Sequence, residues 1–178
     1  MHVFLIAAMS VDGYIAKDLT APSTTWTSRE DKLLFTELTE RAGVLVMGRK
    51  TFETFGRPLK NRKIIVLSSQ AKPDAYAHIP NEQLEYRTAT PTEVIAQLET
   101  EGCTEVAICG GTQIYSSFLN AGLIETLYIT VEPHFFGEGT PLWQATALSH
   151  PISVELKNMR KLNDSGTLFF EYSVRHTE

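Results

Sequence analysis

Arg49, Lys50 and Thr51 follow Gly48 at the end of an apolar run, and a glycine beside two cations and a hydroxyl is suited to holding phosphate. A strand that stops at glycine and opens a helix brings backbone N–H groups close to an anion. The helix dipole favours negative charge there, and the side chains add charge-assisted donors. A second turn of this kind is Gly110-Gly111-Thr112-Gln113, between the run 104–109 and a helix whose apolar face carries Ile114, Phe118 and Leu119. Paired glycines permit positive φ and remove the Cβ atoms that would fend off a ligand. A third apolar run, 64–67, ends at the hydroxyls of Ser68 and Ser69. The same residue types occur at ordinary strand-to-helix turns, so the phosphate reading rests on the repetition of the pattern. Neither turn is the Gly-x-Gly-x-x-Gly fingerprint: the third glycine is missing, as is an acidic residue in the right relation on a following strand, which disfavours a standard Rossmann domain.

Asp31 is the acidic residue with the least surface-like setting. Ser28 is a good N-cap for a helix running to about residue 41, and within it Asp31, Leu34, Phe35 and Leu38 recur at i, i+3, i+4 and i+7. One carboxylate therefore shares a face with three apolar side chains, and burying it alone is costly. Two readings stand: a substrate-facing acid, or the third residue of a capping box with Ser28, where glutamate is the usual partner. No hydroxyl or thiol sits in a nucleophile elbow, and no cluster has metal-ligand spacing. A cofactor would then supply the hard chemistry while the protein holds two ring systems face to face.

The elements that must position these groups follow from the apolar patterning. Runs at 3–9, 44–47, 64–67, 104–109 and 125–132 read as buried strands, with a shorter one at 84–88. Helices fall at 28–41, at a short basic turn from Gly48, from the capped start Thr90-Pro91-Thr92-Glu93 to near Gly102, and after Gly111. Segments 154–162 and 166–175 alternate as an antiparallel hairpin with its turn at 163–166. The polar loop 17–25 is a candidate lid beside the crevice, and 70–81 is a second loop. There is no repeat or linker, so one domain, 1–178, is expected: α/β in three layers, with a mostly parallel central sheet, helices on both faces and an antiparallel C-terminal hairpin.

A net charge of −5 over 178 residues and a cationic stretch confined to 49–63 disfavour nucleic acid or an anionic membrane as partner. No segment reaches the roughly 20 apolar residues of a membrane span, and the first residues lack a signal-peptide pattern, so a cytoplasmic enzyme is expected. Cys103 and Cys109 lie too far apart along an extended segment to bridge and read as free thiols. His2, His78, His134, His150 and His176 form no ligand pattern.

As a set, Met47-Gly48-Arg49-Lys50-Thr51-Phe52-Glu53, the stretch Gly56-Arg57-Pro58-Leu59 with Arg62-Lys63 and Ile65-Val66-Leu67-Ser68-Ser69-Gln70, and Gly110-Gly111 with Ile114-Tyr115 resemble the dihydrofolate reductase superfamily. That superfamily includes the reductase domain of bacterial riboflavin biosynthesis, and the resemblance runs from about residue 3 to residue 140. It implies a dihydrofolate reductase-like fold and NADPH as cofactor. By resemblance, Arg49, Lys50 and Thr51 hold the pyrophosphate and adenosine phosphates, Ser68 and Ser69 the 2′-phosphate region, and Gly110, Gly111 and Thr112 the diphosphate. Gly48, Ala8, Ile15 and Tyr115 complete the cofactor contacts with Gln113, which stands where bacterial members carry arginine and leaves the choice between NADPH and NADH open.

The same resemblance makes Asp31 the catalytic and substrate-binding carboxylate, with Trp26 and Phe35 at the family's spacing, Thr130 in support, and Arg62 gripping a carboxylate tail. Arg62 entering a strand also reads as an ordinary surface cation. The lid has Ser23-Thr24-Thr25-Trp26 where true dihydrofolate reductases show Leu-Pro-Trp, and the stretch 130–140 looks more like the riboflavin-pathway enzymes. The expected activity is hydride transfer from NADPH to a pterin-type ring, as in dihydrofolate reductase. The alternative is a 5-amino-6-(5-phosphoribosylamino)uracil reductase, with a non-catalytic nucleotide-binding module as a distant third. The natural substrate stays open, and a homodimer is possible because relatives on the riboflavin side often pair.

Overall fold

A computed structural model describes residues 1–18, 23–144 and 151–175. Its centre is an eight-stranded sheet in the order β5-β4-β3-β6-β1-β7-β10-β9. The parallel part comprises β1 (His2–Ser10), β3 (Val44–Gly48), β4 (Lys63–Leu67), β5 (Leu84–Arg87), β6 (Glu105–Ile108) and β7 (Thr126–Glu132). β9 (Ser153–Lys161) and β10 (Leu168–Arg175) form the antiparallel hairpin, and β10 lies against β7 with Phe169 opposite Thr130. These are the strands the apolar runs predict, ordered as a sheet whose interior strands are buried on both faces.

Period-two alternation along β1 divides the core. Val3, Leu5 and Ala7 pack on one side with Val94, Ile95 and Leu98 of α3 (Pro91–Thr100) and Phe118 and Leu119 of α4 (Thr112–Asn120). Phe4 and Ile6 pack on the other with Leu34 and Leu38 of α1 (Arg29–Ala42) and Phe52 of α2 (Arg49–Glu53). Each fully buried side chain of this size contributes about 1.5–3 kcal/mol relative to exposure, so the two faces together fix the three layers. α1 starts where Ser28 accepts the Asp31 N–H and stops at Gly43, whose φ of 71° lets its N–H reach the Thr39 carbonyl. Thr90 and Glu93 complete the capping box at α3.

Two features fall outside the expected pattern. β2 (Tyr14–Ala16) and β8 (Thr140–Pro141) pair in a second small sheet, too short to register as strands by periodicity. The loop 70–81 contains a 3₁₀ turn at Asp74–Tyr76 and is held by Lys72, whose ammonium donates to the Ile79 and Leu84 carbonyls. Of the expected lid, residues 19–22 lie outside the described residues, as do His150 and His176, while Ser23–Thr25 forms a 3₁₀ turn. Cys103 and Cys109 are both free thiols. No helix among the described residues is long and apolar enough to cross a membrane, and no group of His, Cys, Asp or Glu among them could hold a metal ion.

Candidate functional site

The two glycine turns meet at the carboxyl ends of β3 and β6. Gly48 donates its N–H to the Gly110 carbonyl at 2.7 Å, and the Gly110–Gly111 peptide is cis. Gly110 has φ +103°, and a Cβ there would lie 2.9 Å from the Tyr115 ring. A Cβ on Gly111 would lie 3.2 Å from Thr51 Oγ1, and one on Gly48 the same distance from Ile114. Gly110 is demanded by its positive φ and the Tyr115 ring, while Gly48 lies close against α4 and Gly111 close against α2, which leaves backbone lining the crevice. Tyr115 is buried and donates to the Ile6 carbonyl at 2.7 Å, and burial pushes its phenol well above the usual range. Thr112 commits its hydroxyl to the Pro141 carbonyl at 2.5 Å, so its contribution to an anion is its N–H, one of those a helix start leaves without an internal acceptor.

The charged candidates sit at the rim. Arg49 donates to Glu53 at 2.8 Å along α2, Lys50 is exposed, and Gln113 is exposed in the first turn of α4. Ser68 accepts the Gln70 N–H at 2.9 Å, and Ser69 is exposed beside it. Ala8 lies in register with Thr130 on the neighbouring strand, and Ile15 sits in β2 against the core.

Asp31 faces the same end of the sheet. Half a capping box is present, since Ser28 Oγ accepts the Asp31 N–H at 3.2 Å. The other half is not made by Asp31: Ser28 donates its N–H to Glu132 Oε1 at 2.6 Å instead. The Asp31 carboxylate is left to the hydroxyls of Thr130 and Thr27. Burial raises its pKa to about 6, with Thr130 and Thr27 pulling down, Glu132 pushing up and Lys32 pulling down. Phe35 is half-buried one turn further along α1. Trp26 packs edge-on against Phe136, ring centroids 5.1 Å apart, and its buried indole N–H meets no acceptor among the described residues. Such a donor calls for an acceptor on a ligand or solvent molecule.

Arg62 is held on the far half of the same helix. Its guanidinium donates to Thr39 Oγ1 at 2.8 Å and to the Lys60 carbonyl at 3.0 Å, and lies 3.8 Å from Glu40. With the side chain 7% exposed, it is a fixed cation rather than a free surface one. Eight residues of helix separate Asp31 from Thr39, about 12 Å along the axis.

A family profile described as dihydrofolate reductase matches residues 2–141, covering both glycine turns, Asp31, Arg62 and Thr130. The chain belongs to the dihydrofolate reductase family. It is 34% identical over 130 residues to the dihydrofolate reductase type 3 of Salmonella typhimurium, covering 73% of this chain and 71% of that one. A shorter match, 42% identical over 71 residues, relates it to the dihydrofolate reductase type A13 of Escherichia coli but spans 41% of that protein. A pyrimidine reductase-like protein of Corynebacterium diphtheriae shares the fold over 99% of this chain and 92% of its own, with TM-score 0.83 and 18% identity. Members of both kinds are named as reductases, so a dihydrofolate reductase-like oxidoreductase acting on a small molecule is the coarse assignment.

Three residues near this end of the sheet carried no weight in the sequence pattern. Glu132 is 2% exposed and binds Ser28, yet a glutamate at the end of a strand reads as a surface residue. The available signal was its two-residue spacing from Thr130, which places both on one face of β7. Thr27 immediately precedes the N-cap. Asp12 accepts the N–H groups of Phe136 and Gly137 at 3.1 and 2.7 Å, tying the turn after β1 to the loop after β7.

Proposed function

We propose that the protein is an NADPH-dependent reductase acting on a pterin-type ring, of the dihydrofolate reductase class. The observation that carries this reading is the Asp31 carboxylate, excluded from the capping box and held by Thr130 and Thr27 at the carboxyl end of the sheet. The cradle at Gly48, Gly110 and Gly111, where added Cβ atoms would meet Ile114, Tyr115 and Thr51, fits a diphosphate approaching backbone N–H groups. Arg49, Lys50 and Thr51 at the start of α2, and Ser68 and Ser69 just past β4, are the cations and hydroxyls that would serve its phosphates. NADPH, when bound, supplies the hydride.

Asp31 does the protein's part of the chemistry. Its two oxygens accept from the amino-imine edge of a pterin, a bidentate geometry like that of carboxylate with guanidinium. A pKa near 6 lets this carboxyl share a proton with that edge close to neutral pH, which favours the protonated ring and makes it the better hydride acceptor. Thr130 fixes the carboxylate's orientation, Phe35 packs the ring, and Trp26 offers its unpaired N–H. Arg62, held by Thr39 eight residues along α1 from Asp31, suits a substrate whose ring is joined to an anionic tail.

A second reading is favoured by the stretch 130–140 and by the likeness to a pyrimidine reductase-like protein: the substrate ring is a ribosylaminopyrimidine whose phosphate meets Arg62. The test is NADPH oxidation with dihydrofolate and then with the aminopyrimidine ribose phosphate. Turnover with dihydrofolate and none with the pyrimidine is expected. The opposite result moves the assignment to the second reading, and no turnover with either removes both.

A further inference from the structure

Glu132 is the most deeply buried carboxylate near the site, and no cation among the described residues pairs with it. Oε1 accepts the Ser28 N–H at 2.6 Å and Oε2 accepts the Thr167 hydroxyl at 2.7 Å. Thr167 is fixed in turn by Asn163, whose amide donates to the Thr167 hydroxyl at 2.9 Å and to Glu30 at 3.0 Å. A buried carboxylate satisfied by neutral donors alone is expensive to maintain. Its placement has a specific consequence at the start of α1.

In a capping box the third helical residue turns its carboxylate back onto the N-cap N–H. Asp31 is that residue and Ser28 is that cap, but Glu132 already occupies the N–H. Glu132 and Thr130 lie two residues apart on β7 and face α1 together: Thr130 takes the Asp31 carboxylate, and Glu132 takes the backbone group that competes for it. We propose that Glu132 is a positioning residue of the site, which by holding the Ser28 N–H keeps the Asp31 carboxylate out of the helix cap and turned toward the crevice. This builds on the reductase reading above.

The charged and titratable groups around Asp31 are Glu132 on β7, Lys32 on its own helix and, from α4, the buried phenol of Tyr115. Replacing Glu132 therefore acts on Asp31 in two ways that separate experimentally. Glu132→Ala removes both the acceptor and the charge. Loss of the Glu132 charge lowers the Asp31 pKa in both the alanine and the glutamine variant, and in the alanine variant Asp31 also swings onto Ser28, where accepting an N–H stabilises its ionised form and lowers the pKa by about one further pH unit. Turnover with the preferred substrate falls about tenfold to a hundredfold, the scale expected of a misplaced catalytic group, while NADPH affinity is kept. Glu132→Gln keeps an acceptor for the Ser28 N–H and recovers most of the lost turnover.

The Asp31 carboxyl is titrated by carbon NMR in the wild type and both variants, alongside turnover and NADPH affinity. The titration needs no substrate, so it reads Glu132's role even if the wild type reduces neither candidate substrate, a result that would remove the reductase reading alone. An Asp31 pKa in Glu132→Ala no lower than in Glu132→Gln, which loses the same charge but keeps the acceptor, overturns the proposal. So does a Glu132→Gln enzyme as slow as Asp31→Asn, and that variant decides the matter if the alanine form does not fold.

Discussion

The Gly48 N–H and the Gly110 carbonyl meet at 2.7 Å, so the two turns that look alike in sequence are joined directly in space. The bond fixes the separation of α2 and α4, and with it the spacing of backbone N–H groups along the crevice. The neighbouring glycines differ in what limits them, which separates folding from binding.

Gly110→Ala forces a side chain to φ +103° and into the Tyr115 ring, at a loss of about 2–3 kcal/mol in stability. Gly111 is not in the left-handed region, and its Cβ would meet only Thr51 Oγ1 at 3.2 Å. Gly111→Ala should keep a melting temperature near that of the wild type while weakening NADPH binding by about tenfold, because the methyl group narrows the cradle. Thermal melts and calorimetry on the pair check this, and unchanged NADPH affinity in Gly111→Ala would remove the diphosphate site from this turn.

Arg62 should act on the substrate's tail and not on its ring. Arg62→Ala is expected to raise KM for dihydrofolate about tenfold to a hundredfold and to change KM for a pteridine without the glutamate little. Thr39→Val, which removes the hydroxyl that holds the guanidinium, should show the same selectivity at a smaller amplitude. Equal effects on both substrates would count against a bound tail and bring the pyrimidine forward.

What could be read from the chain follows the length scale of each feature. The strands at 44–47 and 64–67 and the helix from Ser28 declare themselves through continuous or periodic apolar residues and a local cap, all within one window. The hairpin turn at 163–166 was legible from its turn residues. Asp31 was half legible: helical period put it among Leu34, Phe35 and Leu38, but its release from the cap depends on Glu132, 101 residues later in the chain. The small sheet of β2 and β8 and the clasp of Thr39 on Arg62 are likewise tertiary, and no window around either partner contains the other. The glycine turns were legible as types, while their direct contact was not.

Asp12 supplies a pH-dependent tie at the mouth of the site. Burial would raise its pKa, but hydrogen bonds from Ser10, Gly137 and Phe136 outweigh this and leave it lowered. A lowered carboxyl stabilises the fold above its unfolded pKa, and that contribution is lost as pH falls through the folded value. Asp12→Ala should free the loop that carries His134 and Phe136, the rings packed on Trp26, and so quicken amide exchange at Phe136 and Gly137 above pH 5 or so, where the carboxyl is charged. Exchange rates at those amides equal to the wild type would show that the loop holds without Asp12.

Asp31 has the opposite sign, and the contrast makes it the sharpest test of the mechanism. Its folded pKa of about 6 lies above the ordinary 3.8, so between those values the folded protein keeps a proton that the unfolded chain has released. Stability therefore falls as pH rises through this window and levels off above it. Asp31→Asn abolishes the decline, and near neutral pH it should be more stable than the wild type by about 1 kcal/mol, because an amide in this largely buried place carries no charge to desolvate. A completed capping box would have given the reverse, a loss of about 1 kcal/mol matched by Ser28→Ala. The substitution should move activity against stability: kcat/KM declines above a pH near 6 in the wild type as the shared proton is lost, and Asp31→Asn flattens the profile while lowering turnover about a hundredfold or more. Melting curves from pH 4 to 8 with single-turnover hydride transfer on the same samples test both halves, and an Asp31→Asn enzyme that is fully active would eliminate this carboxylate as the catalytic group.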